Sequence, residues 1–279
     1  MPKLAFSTLA CPEWKIDHVI RAAVASGYQG VELRTAGYGM SDIMSDPAQS
    51  ATGKVFEAAQ SRGVTIASIA TNLTFDQPIN PPVVGTVIGD QEKTVRQAKR
   101  MIDLASSLEC PLVRVFGFHR SGGESLAKTT KRICNRLAKV VDHADKTGVR
   151  VSIENGGDYI TASSLMDILD TIQSPLLCAS YSAAVALRGG ESPDAGVTML
   201  GNRLAMLKVR EVDHNAPVMP DFSMGQWNAA ITGLPANAWI VVEHDSTHFA
   251  TDKGAVERVL TDAATSIRRA LHAGSAMSA

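Results

Sequence analysis

Two glutamates carry the clearest chemical signal in this chain of 279 residues. Glu154 closes the apolar run Val151-Ser-Ile-Glu-Asn155, and Glu243 closes Trp239-Ile-Val-Val-Glu-His244. Each run has strand composition and opens into a polar loop. A third such run, Leu204-Ala-Met-Leu-Lys208-Val-Arg210-Glu211, lies between them and carries a lysine in its interior. If the fold brings both carboxylates to one mouth, they repel by about 4 kcal/mol at about 4 Å and an effective dielectric of about 20, so a cation or a proton belongs between them. Lys208 is placed to supply that charge. Its ammonium can neutralise one carboxylate and donate hydrogen bonds to a developing oxyanion, although it cannot chelate. Such a pair of acids could remove a proton beside a carbonyl and return it, provided one is basic while the other is protonated. That is isomerase or epimerase chemistry. Loss of water from a β-hydroxy ketone starts with the same abstraction, so a dehydratase is the alternative within the enzyme class. A Schiff base on Lys208 needs a neutral amine, which neighbouring glutamates oppose.

The rest of the chain must position these groups. A composition of 45% hydrophobic and 20% charged residues is enough to bury a large core in one domain, 1–279. The formal net charge of -1 gives no electrostatic footprint for nucleic acid. Cys11, Cys110, Cys134 and Cys178 show no metal-ligand spacing and read as reduced, buried thiols, which together with the lack of an export or membrane-spanning pattern sets the expectation of a cytoplasmic protein.

Short β-rich runs alternate with longer stretches of helical period, the pattern of βα units around a parallel sheet. Candidate strands are Leu4 to Thr8, Gly30 to Leu33, Thr65 to Ala70, Leu112 to Gly117, Arg150 to Glu154, Leu176 to Tyr181, Leu204 to Arg210 and Trp239 to His244. Apolar stripes at Ile16, Val19, Ile20 and Ala23, and at Leu126, Thr130, Ile133, Leu137 and Val140, predict helices between them. Further helices fit Ala51 to Arg62, Gln91 to Ser107, Thr161 to Ile172 and Gly254 to Leu271, with weaker ones near Ala183 to Leu187 and Gly225 to Ile231. Gly27 and Gly63 fit as C-terminal caps and Thr161 as an N-cap. Eight strand-helix pairs predict an α/β fold of the (β/α)8 TIM barrel type, with reacting groups at the carboxyl ends of the strands. An open doubly wound sheet is the runner-up, but Thr8-Leu-Ala-Cys-Pro-Glu-Trp14 after the first strand has no glycine-rich phosphate loop. Thr35 to Pro47, Asp76 to Gly89 and Val212 to Met224 would surround the mouth as long loops.

The order of several motifs resembles the xylose-isomerase-like barrel superfamily, in particular sugar phosphate isomerases/epimerases and ketose 3-epimerases. The motifs are the opening Leu-Ala-Phe-Ser-Thr8, Gly-Val-Glu32-Leu at strand two, Val113-Arg-Val-Phe-Gly117, Ser-Ile-Glu154-Asn, Arg188-Gly-Gly-Glu-Ser-Pro193 and Val-Val-Glu243. Members of this kind commonly hold one divalent cation with Glu, Asp, His and Glu from strands five to eight. Glu154 and Glu243 match the two glutamate positions. Ser182 stands at the aspartate position and Lys208 at the histidine position, and His214 falls where the epimerases carry an arginine. The departure favours no metal cofactor, with Mg²⁺ or Mn²⁺ on Glu154 and Glu243 as the alternative. The resemblance implies a small-molecule carbohydrate substrate, and pairing into a homo-oligomer is usual for relatives.

Around the catalytic set Glu154, Glu243 and Lys208, candidate substrate contacts are His214, Arg210, Glu211, Asn72, His119, Tyr181 and Ser182. Each has a plainer reading: loop histidines are more often solvated, and of Trp14, Phe116, Tyr181 and Trp227, which could form an apolar wall for a sugar ring, two are expected in the core. Glu32 is weighed equally as a brace of the mouth, and Arg114, inside an apolar run, as an ion-pair partner of Glu32 or Glu154. Glu243-His-Asp-Ser-Thr-His248 is not a metalloprotease motif, since it follows a strand. A non-catalytic carbohydrate-binding barrel remains open as a second class. An abasic-site endonuclease ranks last, because it needs zinc ligands and a basic groove.

Overall fold

The computed structural model describes residues 1–35, 43–77, 92–115, 119–120, 122–210, 218–249, 252 and 254–277. Eight parallel strands close into a barrel in sequence order: β1 Lys3–Ser7, β2 Gly30–Arg34, β3 Thr65–Ala70, β4 Leu112–Val115, β5 Arg150–Glu154, β6 Leu177–Ser182, β7 Leu204–Arg210 and β8 Trp239–Glu243. Helices α1 Ile16–Ser26, α2 Thr52–Gln60, α3 Lys93–Ser107, α4 Leu126–His143, α5 Ala162–Ile172, α6 Ala183–Arg188, α7 Pro193–Leu200, α8 Gly225–Thr232 and α9 Ala255–Met277 follow the strands in turn. The expected TIM barrel is therefore the observed fold. Among the described residues no helix is long and apolar enough to cross a membrane.

The strands divide the core into two regions because successive side chains point to opposite faces. Outward residues such as Phe6, Leu33, Val113, Ile153, Leu207 and Val242 pack under the helices. Inside, Ala5, Ala67, Leu112, Cys178, Met206, Trp239 and Val241 belong to a separate apolar cluster that fills the barrel interior. Gly30 makes this plug possible: a Cβ there would stand 2.7 Å from the Trp239 ring. Above the plug the inward positions change to charged and hydroxyl side chains.

Strand positions agree with expectation to within a residue or two at each end. Thr8 opens a short 3-10 turn instead of ending β1, and its hydroxyl accepts the Arg34 main-chain N–H at 3.0 Å. Gly27 caps α1 with φ of 75°, and Thr161 caps α5 within a capping box. Gly63, with φ of 64°, lies in the turn after α2, whose cap is Ser61. In α4 the buried stripe is Ile133, Leu137 and Val140, whereas Leu126 is exposed on the first turn. Helix α7 had no counterpart among the expected elements. It is short and contains Gly196, where any side chain would overlap the Tyr181 hydroxyl. The mouth loops expected at Thr35 to Pro47, Asp76 to Gly89 and Val212 to Met224 lie largely outside the described residues. All four cysteines are free and buried.

Candidate active site

Lys208 stands on the inward face of β7, level with Ser182 of β6 and Val241 of β8. Its side chain is 0% exposed. A buried ammonium is tolerable only when it is paired and hydrogen-bonded, and here three strands supply the partners. Nζ donates to Glu32 Oε1 at 2.7 Å and to Glu243 Oε2 at 2.7 Å, and lies 3.4 Å from Glu154 Oε2. The three carboxylates come from β2, β8 and β5, so the lysine ties together strands that lie far apart around the barrel.

A ring of further polar groups fixes the acids. Ser68 donates to Glu32 Oε2 at 3.2 Å, and Ser180 to Glu154 Oε2 at 3.4 Å. Arg114, fully enclosed on β4, sets its Nε 3.2 Å from Glu154 Oε2 and donates from a terminal nitrogen to the Thr71 carbonyl. At the rim Arg34 and Arg210 approach Glu243 at 3.9 Å and 3.5 Å.

This packing moves the titration of the cluster. Burial alone pushes the Lys208 ammonium down, and Arg114 adds to that, but Glu154, Glu243 and Glu32 together outweigh both and hold it above the usual lysine value. For Glu243, burial favours the neutral acid; Lys208, Arg34, Arg210 and Arg114 reverse this and hold it well below the carboxylate range. Glu32 follows the same pattern through burial against Lys208 and Arg114. Burial opposes the Arg114 charge too, and Glu154, Glu32 and Glu243 overcome it. Glu32, Glu243, Lys208 and Arg114 are thus ionised at neutral pH.

Of the residues proposed from sequence, the fold brings Glu154, Glu243, Lys208 and Arg210 together, and sets Ser182 beside Lys208 in register. Ser182 is locked through its backbone: its N–H donates to Asn155 Oδ1 at 2.6 Å, and its carbonyl accepts from Asn155 Nδ2 at 3.1 Å. Asn72 sits at the end of β3, where its Oδ1 accepts from Arg34 at 3.3 Å. Tyr181 is not brought to the mouth. It faces the helices and donates to Glu191 Oε1 at 2.7 Å, while Glu191 also accepts the Ala162 N–H at the start of α5. The Arg188-to-Pro193 segment is therefore a latch between β6 and α5. His119 is exposed, with its main-chain N–H on Asp76. Glu211 and His214 lie outside the described residues. Glu32, weighed between brace and substrate contact, is a partner of Lys208, and Arg114 lies beside Glu154 as one of its two expected ion-pair partners; Arg34 was not singled out. Its one signal was a charge at an inward position of an otherwise apolar strand.

A divalent cation does not fit this arrangement. The point where three carboxylates converge is filled by the Lys208 ammonium, and Ser182 supplies no carboxylate. Among the described residues no group of three or more His, Cys, Asp and Glu is arranged to hold a metal.

The sequence profile described as "Xylose isomerase-like TIM barrel" matches residues 20–216. The chain belongs to this family. No curated protein matches it in sequence. Among solved structures it is similar to D-psicose 3-epimerase from Clostridium cellulolyticum H10 (TM-score 0.76, 13% identity, 96% of this chain and 99% of the other). It is also similar to an L-ribulose 3-epimerase (TM-score 0.76, 13% identity, 100% and 97%). A third similarity is to the "probable 3-DHS dehydratase AsbF" from Bacillus anthracis (TM-score 0.67, 12% identity, 94% and 98%). At these identities the shared feature is the barrel itself.

Proposed function

We propose that this protein is an isomerase or epimerase of a sugar or related keto-polyol that moves a proton beside a carbonyl without a metal. The observation that carries the reading is Lys208 Nζ within 2.7 to 3.4 Å of three glutamates, Glu32 in β2 and Glu154 and Glu243 at the carboxyl ends of β5 and β8. A pure binding site gains nothing from converging three acids, whereas proton transfer needs at least one.

The geometry divides the work. Lys208 is too enclosed to touch a substrate and is a positioning residue: it holds Glu154 and Glu243 side by side and cancels their repulsion. Glu154 makes the longest of the three ammonium contacts and is the base. It takes the proton from the carbon next to the carbonyl, the C–H pair becomes the carbon-carbon double bond, and the carbonyl π pair moves to oxygen. The positive field of the neighbouring cations, Lys208 and Arg114 below and Arg34 and Arg210 at the rim, stabilises that oxygen. In isomerisation the neighbouring hydroxyl passes its proton to the enolate oxygen, its own oxygen becomes the new carbonyl, and Glu154 returns the abstracted proton to the former carbonyl carbon; in epimerisation Glu243 first takes a proton from water and delivers it to the opposite face of the deprotonated carbon, while Glu154 gives its proton back to water. The raised Lys208 ammonium disfavours a Schiff base.

Wash-in of deuterium from heavy water over a panel of keto sugars and cyclic keto-polyols tests this, with product mass reporting any loss of water. Exchange by the parent that disappears in Glu154→Gln is expected. Tight binding of a panel member with no exchange would make the protein a carbohydrate-binding barrel instead.

A further inference from the structure

The polar part of the barrel interior has two tiers. Glu32 and Lys208 form the lower one. Two residues further along the same strands, on the same inward faces, β2 ends in Arg34 and β7 in Arg210. These arginines are the cations that solvent reaches: the Arg34 side chain is 11% exposed and that of Arg210 22%, against 0% for Lys208. Both converge on Glu243, which Lys208 already engages at 2.7 Å, and their own contacts to it are long, at 3.9 and 3.5 Å. A well-formed guanidinium-carboxylate pair closes to about 2.8 Å and uses both oxygens, so each arginine's hold on Glu243 is a loose one that a better-placed anion can replace. Above the apolar plug, the charges the described strands turn inward are Lys208, Arg34, Arg114 and Arg210 against Glu32, Glu154 and Glu243.

We propose that Arg34 and Arg210 bind an anionic group of the substrate, a phosphate ester or a carboxylate carried by a small keto-polyol, seated at the rim over Glu243. This rests on the reading of the site as a proton-transfer centre and adds the substrate class to it. It does not require the guanidinium groups to lack other contacts: a dianion or carboxylate offering two oxygens exchanges with weaker ones. Asn72, bonded to Arg34, steadies one side of the grip. Seating the anion draws both arginines off Glu243 and leaves it with Lys208 alone, which restores some of its affinity for a proton. Anion binding therefore prepares the second acid, and a neutral analogue both binds more weakly and turns over more slowly.

The test is calorimetric titration and deuterium wash-in on C4 to C6 ketoses, each compared with its terminal phosphate and its terminal carboxylate. At least one anionic member should bind about tenfold or more tighter than its neutral parent, losing that margin in high salt. The margin should shrink about tenfold in Arg210→Gln and vanish when Arg34→Gln is added, with the salt dependence of the parent protein serving should the double variant fail to fold. Phosphate and carboxylate arms identify which anion is taken. Equal binding of neutral and anionic members, or a preference that survives both substitutions, overturns the anion site. Exchange on neutral ketoses alone removes the anion site and keeps proton transfer; arginine-dependent anion binding with no exchange keeps the site and removes proton transfer.

Discussion

Two lysine-glutamate contacts of equal length have different meanings in this molecule. Lys208 meets Glu32 at 2.7 Å inside the barrel, and Lys139 on α4 meets Glu92 at 2.7 Å outside it. The outer partners are 52% and 44% exposed, while the inner ones are 0% exposed. Water and salt screen the outer pair, and holding two long side chains in one geometry costs most of what the pair gains. The inner pair has no water to fall back on, so either charge without the other would be stranded. Distance alone thus says little about an ion pair; the surroundings decide whether it is an ornament of the surface or a condition for folding.

Truncating each lysine separates the two regimes most sharply. Lys208→Met leaves three carboxylates facing one another in the barrel and should cost about 3 to 5 kcal/mol in urea unfolding; a loss below about 1 kcal/mol would place the inner pair in the same class as the outer one. Glu32→Gln is milder, because Lys208 keeps Glu243 and Glu154, and a loss of about 1 to 3 kcal/mol is expected. Acid brings out the same contrast. Glu32 and Glu243 are held below the ordinary carboxylate value, so their contribution is complete above about pH 5 and drains away as the pH falls through the folded values. Lys208 is held above its ordinary value, so its share is complete below about pH 10 and is lost as the pH rises further. The urea midpoint should be flat between these limits and fall steeply in acid, with a shallower acid limb in Glu32→Gln. Lys139→Met should change unfolding by less than about 1 kcal/mol at any of these pH values.

The barrel was legible because its strands are buried on both faces and so read as short apolar runs with turn residues between them. Glu154, Lys208 and Glu243 could be read for a related reason, as charges at the ends or in the middle of such runs. Parity along a strand was the signal left unused. Tyr181 and Ser182 are neighbours on β6 and cannot both face the interior; since Ser180 turns inward to Glu154, Tyr181 had to turn outward. The same parity sets Arg34 with Glu32 and Arg210 with Lys208. Which of those charges would meet depended on the register of strands distant in sequence, and no single run contains that information. Helix α7 stayed hidden because Gly196, a poor helix former, is required by the packing of Tyr181.

The central claim is that an ammonium group fills the place between the glutamates of β2, β5 and β8. Equilibrium dialysis of the metal-stripped protein against Mn²⁺, read by elemental analysis, tests it most directly. The parent should take up no stoichiometric Mn²⁺, while Lys208→Ala, with the three carboxylates released, should gain uptake. One tightly held Mn²⁺ per chain in the parent would contradict the account.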